Sequence, residues 1–364
     1  MTTVKQVTSY LESIAPKQLQ ESYDNAGLIT GSPGLEVTGV VISLDCTEDV
    51  IDEAIARNAN MVVAHHPIVF KGLKSLTGSN YVERTIIKAI KNDIAIYAIH
   101  TNLDNIMDGV NRKFADQIGL TNQRVLKPIK NLQKLVTFIP EADTEKVLDA
   151  IHKSGAGNIG NYSECSFKVT GKGYFKPNEE ANPAIGESNH KEEVDENRVE
   201  VIFPDYLGSA ILAVLKEAHP YEEVAYYLTS LENLNQDTGA GMIGDLEKEM
   251  STTDFLEHLK NTFNLDCIKH TSFSGSIKKV AVCGGSGSFL INDAKRNGAD
   301  AFVTGDVKYH EFFDADSKLI FCDIGHYESE VGTKDLLYDL LTKKFTTFAL
   351  HLSECNTNPI RYYK

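Results

Sequence analysis

The feature that most restricts how this chain can fold is an internal repeat whose two copies lie at opposite ends. Ala54 to His66 (AIARNANMVVAHH) is matched by Ala294 to Asp306 (AKRNGADAFVTGD). Ile94 to Asp104 (IAIYAIHTNLD) is matched by Leu319 to Glu330 (LIFCDIGHYESE). The spacing is far too long for a solenoid, whose units recur every few tens of residues. Two copies of one α/β unit are therefore expected, with a different kind of structure between them.

Each copy reads as strand, helix, strand. Val37 to Leu44 is a β-branched run followed by Thr47, Glu48 and Asp49, and then by apolar residues at Val50, Ile51, Ala54 and Ile55. That is a strand leading into a capped, amphipathic helix. Met61 to Ala64 predicts a short strand ending in His65-His66-Pro67, and Ile94 to Ile99 predicts another ending in His100. In open α/β sheets ligands bind beyond the carboxyl ends of the strands, so these histidines sit where a site is expected. The second copy runs from Lys279 to Cys283 through Gly284-Gly285-Ser286-Gly287-Ser288 into a helical pattern at Leu290, Ile291 and Ala294.

The middle differs. Leu132 to Pro140 predicts a strand, Thr144 to Ser154 a helix, and further strands flank a helix over Ser209 to His219, with Asn178 to Asn197 a polar exposed loop. This order is α+β and ferredoxin-like. The fold expected is a duplicated α/β host, residues 1–125 and 238–364, carrying an inserted α+β domain at 126–237.

At 364 residues the chain is long enough for two or three domains, and its 42% hydrophobic and 24% charged residues belong to a globular protein. Its net charge of −15 repels phosphate backbones, which argues against nucleic acid as the main partner. No apolar run approaches the roughly 20 residues of a membrane span, and the start lacks a signal-peptide pattern. Six scattered cysteines without a CxxC pair suit reduced thiols in the cytoplasm and leave any metal to other ligands.

Those other ligands are His65-His66, His100-x3-Asp104 and His326-x3-Glu330. Four imidazoles and two carboxylates exceed the needs of one tetrahedral ion, and carboxylates can bridge, so a dinuclear centre is the economical reading. Adjacent residues on a strand point to opposite sides: His65 and His66 either share an ion at a turn or serve one ion each. One H-x3-acid pair alone would more often be a surface ion pair; two at equivalent repeat positions argue for a site. Asp306, opposite His66 in the repeat, could orient a ligand imidazole. His310 has either a supporting role or none. The Gly284 to Ser288 loop either holds an anion on its amides or is simply a tight turn, and without a Walker lysine it does not suit a P-loop.

Taken together, Tyr23-Asp24-Asn25-Ala26-Gly27-Leu28, AHHP at 64–67, HTNLD at 100–104, GGSG at 284–287, TGD at 304–306 and GHYESE at 325–330 resemble the NIF-three-like dinuclear metal proteins, also known as the GTP cyclohydrolase I type 2 homologue family. The resemblance covers essentially the whole chain, including the long form's insertion with AHPYEE at 218–223. It implies two divalent ions per chain, zinc ahead of iron, manganese or nickel. The implied ligands are His65, His66, Asp104, His326 and Glu330, with Glu330 bridging and His100 a further ligand or a group close behind. It also implies a toroidal homohexamer and an insertion like the PII and CutA domains.

The function expected is a metal-dependent hydrolase with an activated bridging water as nucleophile, acting on a small molecule of which GTP is the example the family name supplies. The alternative is a non-catalytic protein that stores or delivers metal, or senses a small molecule. No residue is assigned as a catalytic acid or base.

Overall fold

The computed structural model describes residues 1–363 and divides into two compact units, one formed by residues 1–128 and 237–364 and the other by 129–236. No helix among the described residues is long and apolar enough to cross a membrane.

The first unit is a mixed α/β structure containing two sheets. In the first sheet the parallel strands Gly39–Ser43, Met61–Ala64 and Ala95–Ala98 lie side by side, with Gly27–Thr30 antiparallel at one edge. The second sheet repeats this core with the parallel strands Ile277–Ser286, Ala301–Gly305 and Ile320–Asp323, edged by Lys269–His270. The parallel strands of the first sheet are buried throughout, as expected of strands covered on both faces. Thr47 caps the Glu48–Ala56 helix by accepting from the Val50 amide, and two acids occupy its first turn.

Each copy gives its last helix and strand to the other copy's sheet. The Val110–Ile118 helix puts Phe114, Ala115 and Ile118 into the same core as Val280, Val282 and Val303 of the second sheet. The strand after it, Thr121–Ile129, forms the outer edge of that sheet beside Asn235–Met250. In return the Thr333–Lys344 helix buries Leu337 and Leu341 against Val40 and Ile42, and Ala349–Leu352 pairs in parallel with Gly39–Ser43.

The second unit has four antiparallel strands in the order Ser166–Phe175, Glu192–Pro204, Leu132–Pro140, Tyr226–Ser230. The Thr144–Lys153 and Gly208–Ala218 helices pack Val147, Ile151, Ile211 and Leu215 on one face, against Leu135, Ile139, Val199 and Val201. One expectation is corrected: residues 192–197 are strand, not loop. Their acidic side chains are compatible with a ladder because Lys172 on the neighbouring strand pairs with both Glu193 and Asp195.

Candidate metal centre

Both H-x3-acid segments fold as single helical turns that follow directly on a strand. Thr101–Asp104 comes after Ala95–Ala98, and His326–Glu330 after Ile320–Asp323. Residues four apart share a helix face, which explains the spacing. Met61–Ala64 ends at the same level and delivers His65 and His66.

The six side chains named from the sequence come together, two of them buried and four half-buried. His65 is fully buried and Glu330 is only 4% exposed. Three overlapping groupings have ligand atoms close enough to hold a metal ion: His65, His66 and His100; His66, His326 and Glu330; His65, Asp104 and Glu330. Glu330 lies between two of these sets. Its Oε1 is 3.9 Å from His65 Nε2, while its Oε2 is 2.9 Å from His66 Nε2 and 3.1 Å from His326 Nε2. His65 and His66 thus address different oxygens of one carboxylate. Asp104 Oδ1 lies 3.6 Å from His65 Nε2.

What separates this cluster from an ordinary polar core is how the rings are held. Every imidazole is anchored through Nδ1: His65 to the Ile99 carbonyl at 2.8 Å, His66 to Asp45 at 2.7 Å, His100 to Asp24 at 2.7 Å and His326 to Asp306 at 2.8 Å. With Nδ1–H donating, each Nε2 faces the centre and can offer a lone pair once it is unprotonated, the orientation that metal-binding histidines require. His65 Nε2 and Asp104 Oδ1 are buried without any hydrogen-bond partner. Polar atoms in that condition are costly unless something else satisfies them, and a cation between them would do so. The donor set therefore fits divalent metal ions.

The electrostatics agree. Burial opposes charge on His66, but hydrogen bonds to Asp45 and Glu330 outweigh it and push the imidazole up to about 10. His326 is raised to about 9 against the same burial effect, chiefly through Glu330 and Asp306. Burial and the neighbouring Glu330 push Asp104 up to about 7. Glu330 is buried too, yet hydrogen bonds from His326 and His66, with the His65 ring close by, hold it well below the usual carboxylate range. Protons thus hold the place of cations in a cluster whose donors otherwise repel one another.

Asp45 and Asp24 were not identified from the sequence as supports. Asp45 lies just beyond the Gly39–Ser43 strand, at the level where the other strands deliver ligands, which is a usable signal. Asp24 also accepts from the Thr101 amide at 3.0 Å and sits in the Tyr23-Asp24-Asn25 segment. Thr357, from the residues after the last strand, donates to the other oxygen of Asp45 at 2.6 Å, and Asn358 donates to Glu328 at 3.0 Å.

The glycine loop acts by being small. A Cβ on Gly285 would sit 2.4 Å from Glu330 Oε1, and one on Gly284 3.1 Å from Glu330 Cγ. The amides of Gly284, Gly285 and Gly287 donate to Asn111, Ser329 and Thr304, so these donors are already used and the loop's task is close approach to Glu330. His310 belongs to none of the metal groupings. It is exposed and packs against Tyr309 and Phe313. At the edge of the centre, the exposed Tyr23 ring lies 6.1 Å from Phe70, which lies 6.3 Å from His100.

The sequence profile of the Duf34/NIF3 (NGG1p interacting factor 3) family matches residues 2–359. A Staphylococcus epidermidis protein named GTP cyclohydrolase 1 type 2 homolog is 38% identical over 365 residues, covering 99% of each chain. Among solved structures, a Bacillus cereus protein related to NIF3 superposes with a TM-score of 0.86 at 38% identity, covering 100% of this chain and 99% of that one. A Staphylococcus aureus protein follows at 0.79 and 31%, with coverage of 100% and 99%.

Proposed function

The chain belongs to the Duf34/NIF3 family, and from that premise and the site geometry we propose that it is a metal-dependent hydrolase built on a dinuclear centre. The observation that carries this reading is Glu330, whose two oxygens face separate sets of imidazole nitrogens. One ion would be held by His65, Asp104 and Glu330, with His100 beside it. The other would be held by His66, His326 and Glu330. Two divalent ions so placed supply Lewis acidity and lower the pKa of a bound water towards neutrality. Zinc is the first candidate, and iron, manganese or nickel suit the same donors.

The protein's own contribution is preorganisation. The Nδ1 anchors fix four ring orientations before any ion arrives, and Gly284 and Gly285 let the carboxylate of Glu330 reach both sides. Tyr23 and Phe70 offer exposed rings against which a planar substrate group could stack, which favours a heterocyclic substrate such as a nucleotide. The name of the Staphylococcus epidermidis relative points the same way. We include in the proposal a toroidal homohexamer and a cytoplasmic setting, the latter supported by six cysteines that are all free thiols. A solution mass of one or two chains by light scattering would end the hexamer.

The test is turnover of an untargeted metabolite mixture by metal-reconstituted protein, with His326→Ala as control. Depletion of a substrate by the wild type alone supports the hydrolase. Two bound ions with no turnover would favour the storage or sensing alternative.

A further inference from the structure

A cavity of about 610 Å³ lies entirely within the second unit, on the sheet face opposite its two helices. That is the size of a small-molecule pocket. Its walls include Phe138, Phe175, Tyr221 and Tyr227, in two edge-to-face pairs with centroids 5.8 Å apart. Of the three carboxylates among them, Glu222 and Glu223 are exposed and Glu196 is only 8% exposed.

The surroundings of Glu196 are unusual for a strand. The residue opposite it on the edge strand is Gly171, and the next on that face is Gly173. A Cβ on Gly173 would lie 2.1 Å from Glu196 Oε2, and one on Gly171 would meet nothing within 4 Å. Glycines inside a strand forgo packing and order, and they commonly mark a place where a ligand comes close to the backbone. Glu196 Oε1 accepts from the Tyr221 hydroxyl at 3.0 Å, while Oε2 has no hydrogen-bond partner among the described residues. Glu196 lines the cavity, so this uncommitted oxygen is free to accept from a ligand donor.

From this arrangement we infer that the cavity binds a planar nitrogen heterocycle, laid over Gly171 between the aromatic walls, with an edge of adjacent N–H donors on Glu196. The ligand class is an aminated ring of the guanine or pterin kind. A carboxylate accepts two parallel N–H bonds from such an edge, and the flat ring matches a floor that has no side chains. Glu196 reads the edge, and the aromatic rings and glycines select for flatness.

The experiment is calorimetric titration of the full-length protein with guanosine and with pterin. Inosine, which lacks the exocyclic amine, is the control. Saturable binding of guanosine or pterin at one site per chain is expected. Inosine should bind at least about tenfold more weakly than guanosine, and Glu196→Gln should cost a similar factor, because a buried polar site rejects a partner that leaves it unpaired. Gly171→Val, which fills the floor, should abolish binding while metal content stays at the wild-type value. If neither guanosine nor pterin saturates at millimolar concentration, or if folded Glu196→Gln binds as tightly as wild type, the assignment is wrong. Should Gly171→Val fail to fold, the Glu196→Gln comparison still decides.

Discussion

Asp104 and Glu330 occupy the same place in the two repeat copies, four residues after a histidine that follows a strand, yet their surroundings differ sharply. Glu330 sits among three imidazole nitrogens and stays ionised, whereas Asp104 meets one imidazole at 3.6 Å and is pushed up by burial and by Glu330 itself. The extra methylene of glutamate carries its carboxylate into the middle of the cluster, and the glycine loop that makes room there belongs to the second copy. Duplication supplied two equivalent acids, and one extra methylene beside a bare backbone made only one of them central.

Substitutions at these two positions test the contrast most severely. Glu330→Gln is expected to remove both ions, taking metal content from about two per chain to near zero, whereas Asp104→Asn keeps about one. Elemental analysis after reconstitution reads the difference directly. If Asp104→Asn loses both ions and Glu330→Gln only one, the roles are reversed.

Next in size are the residues that anchor the rings. Asp45→Asn and Asp306→Asn act on His66 and His326, which share Glu330 Oε2, and each should weaken one ion by ~10–100-fold while sparing the other. Asp24→Asn should act through His100 instead. Equal loss at both ions in all three variants would mean that the centre binds metal as a single unit.

Gly285→Ala would put a methyl group against Glu330 and impose a side chain at a φ of +60°, so metal affinity should fall and thermal stability drop by ~1–3 kcal/mol. Unchanged metal binding would show that the carboxylate does not depend on the loop.

Protonation gives a subtler measure. His66 and His326 are raised to about 10 and 9 in the metal-free protein, above their unfolded values, so they stabilise it at low pH and that stabilisation fades as pH rises through 9 to 10. Asp104, raised to about 7, is a carboxyl whose native form prefers its proton, so its contribution also falls as pH rises towards 7. Metal binding at pH 7 must therefore expel the protons of His66 and His326 and part of that of Asp104, and affinity should climb with pH until both imidazoles are neutral. Calorimetry in buffers of different ionisation enthalpy counts them, and zero release would contradict the native protonation described here.

The smallest effect on metal is expected from replacing residues 129–236 by a short flexible linker, since all six clustered side chains lie in the other unit.

Much of this site was legible because strands that end in histidine and acids four residues later obey backbone geometry, which a repeat displays twice. The family resemblance added the expectation that Glu330 bridges, which spacing alone leaves open. Asp45 escaped notice because it is a lone acid after an apolar run, and nothing local ties it to His66. The exchange of terminal helices and strands was also not legible: Ala349–Leu352 looks like any short strand, and pairing partners depend on contacts about 300 residues away in sequence. The polar residues 192–197 were misjudged because strand propensity is an average that one lysine between two acids can override.

That exchange also governs how the protein can be made. The first sheet needs the Thr333–Lys344 helix over one face and the Ala349–Leu352 strand beside Gly39–Ser43, and both are made long after that strand. His66 and Asp45 are made well before His326, Glu330 and Thr357, the residues they meet. A chain that stops short of these segments therefore holds an unfinished sheet edge and lacks two of the six clustered donors, His326 and Glu330.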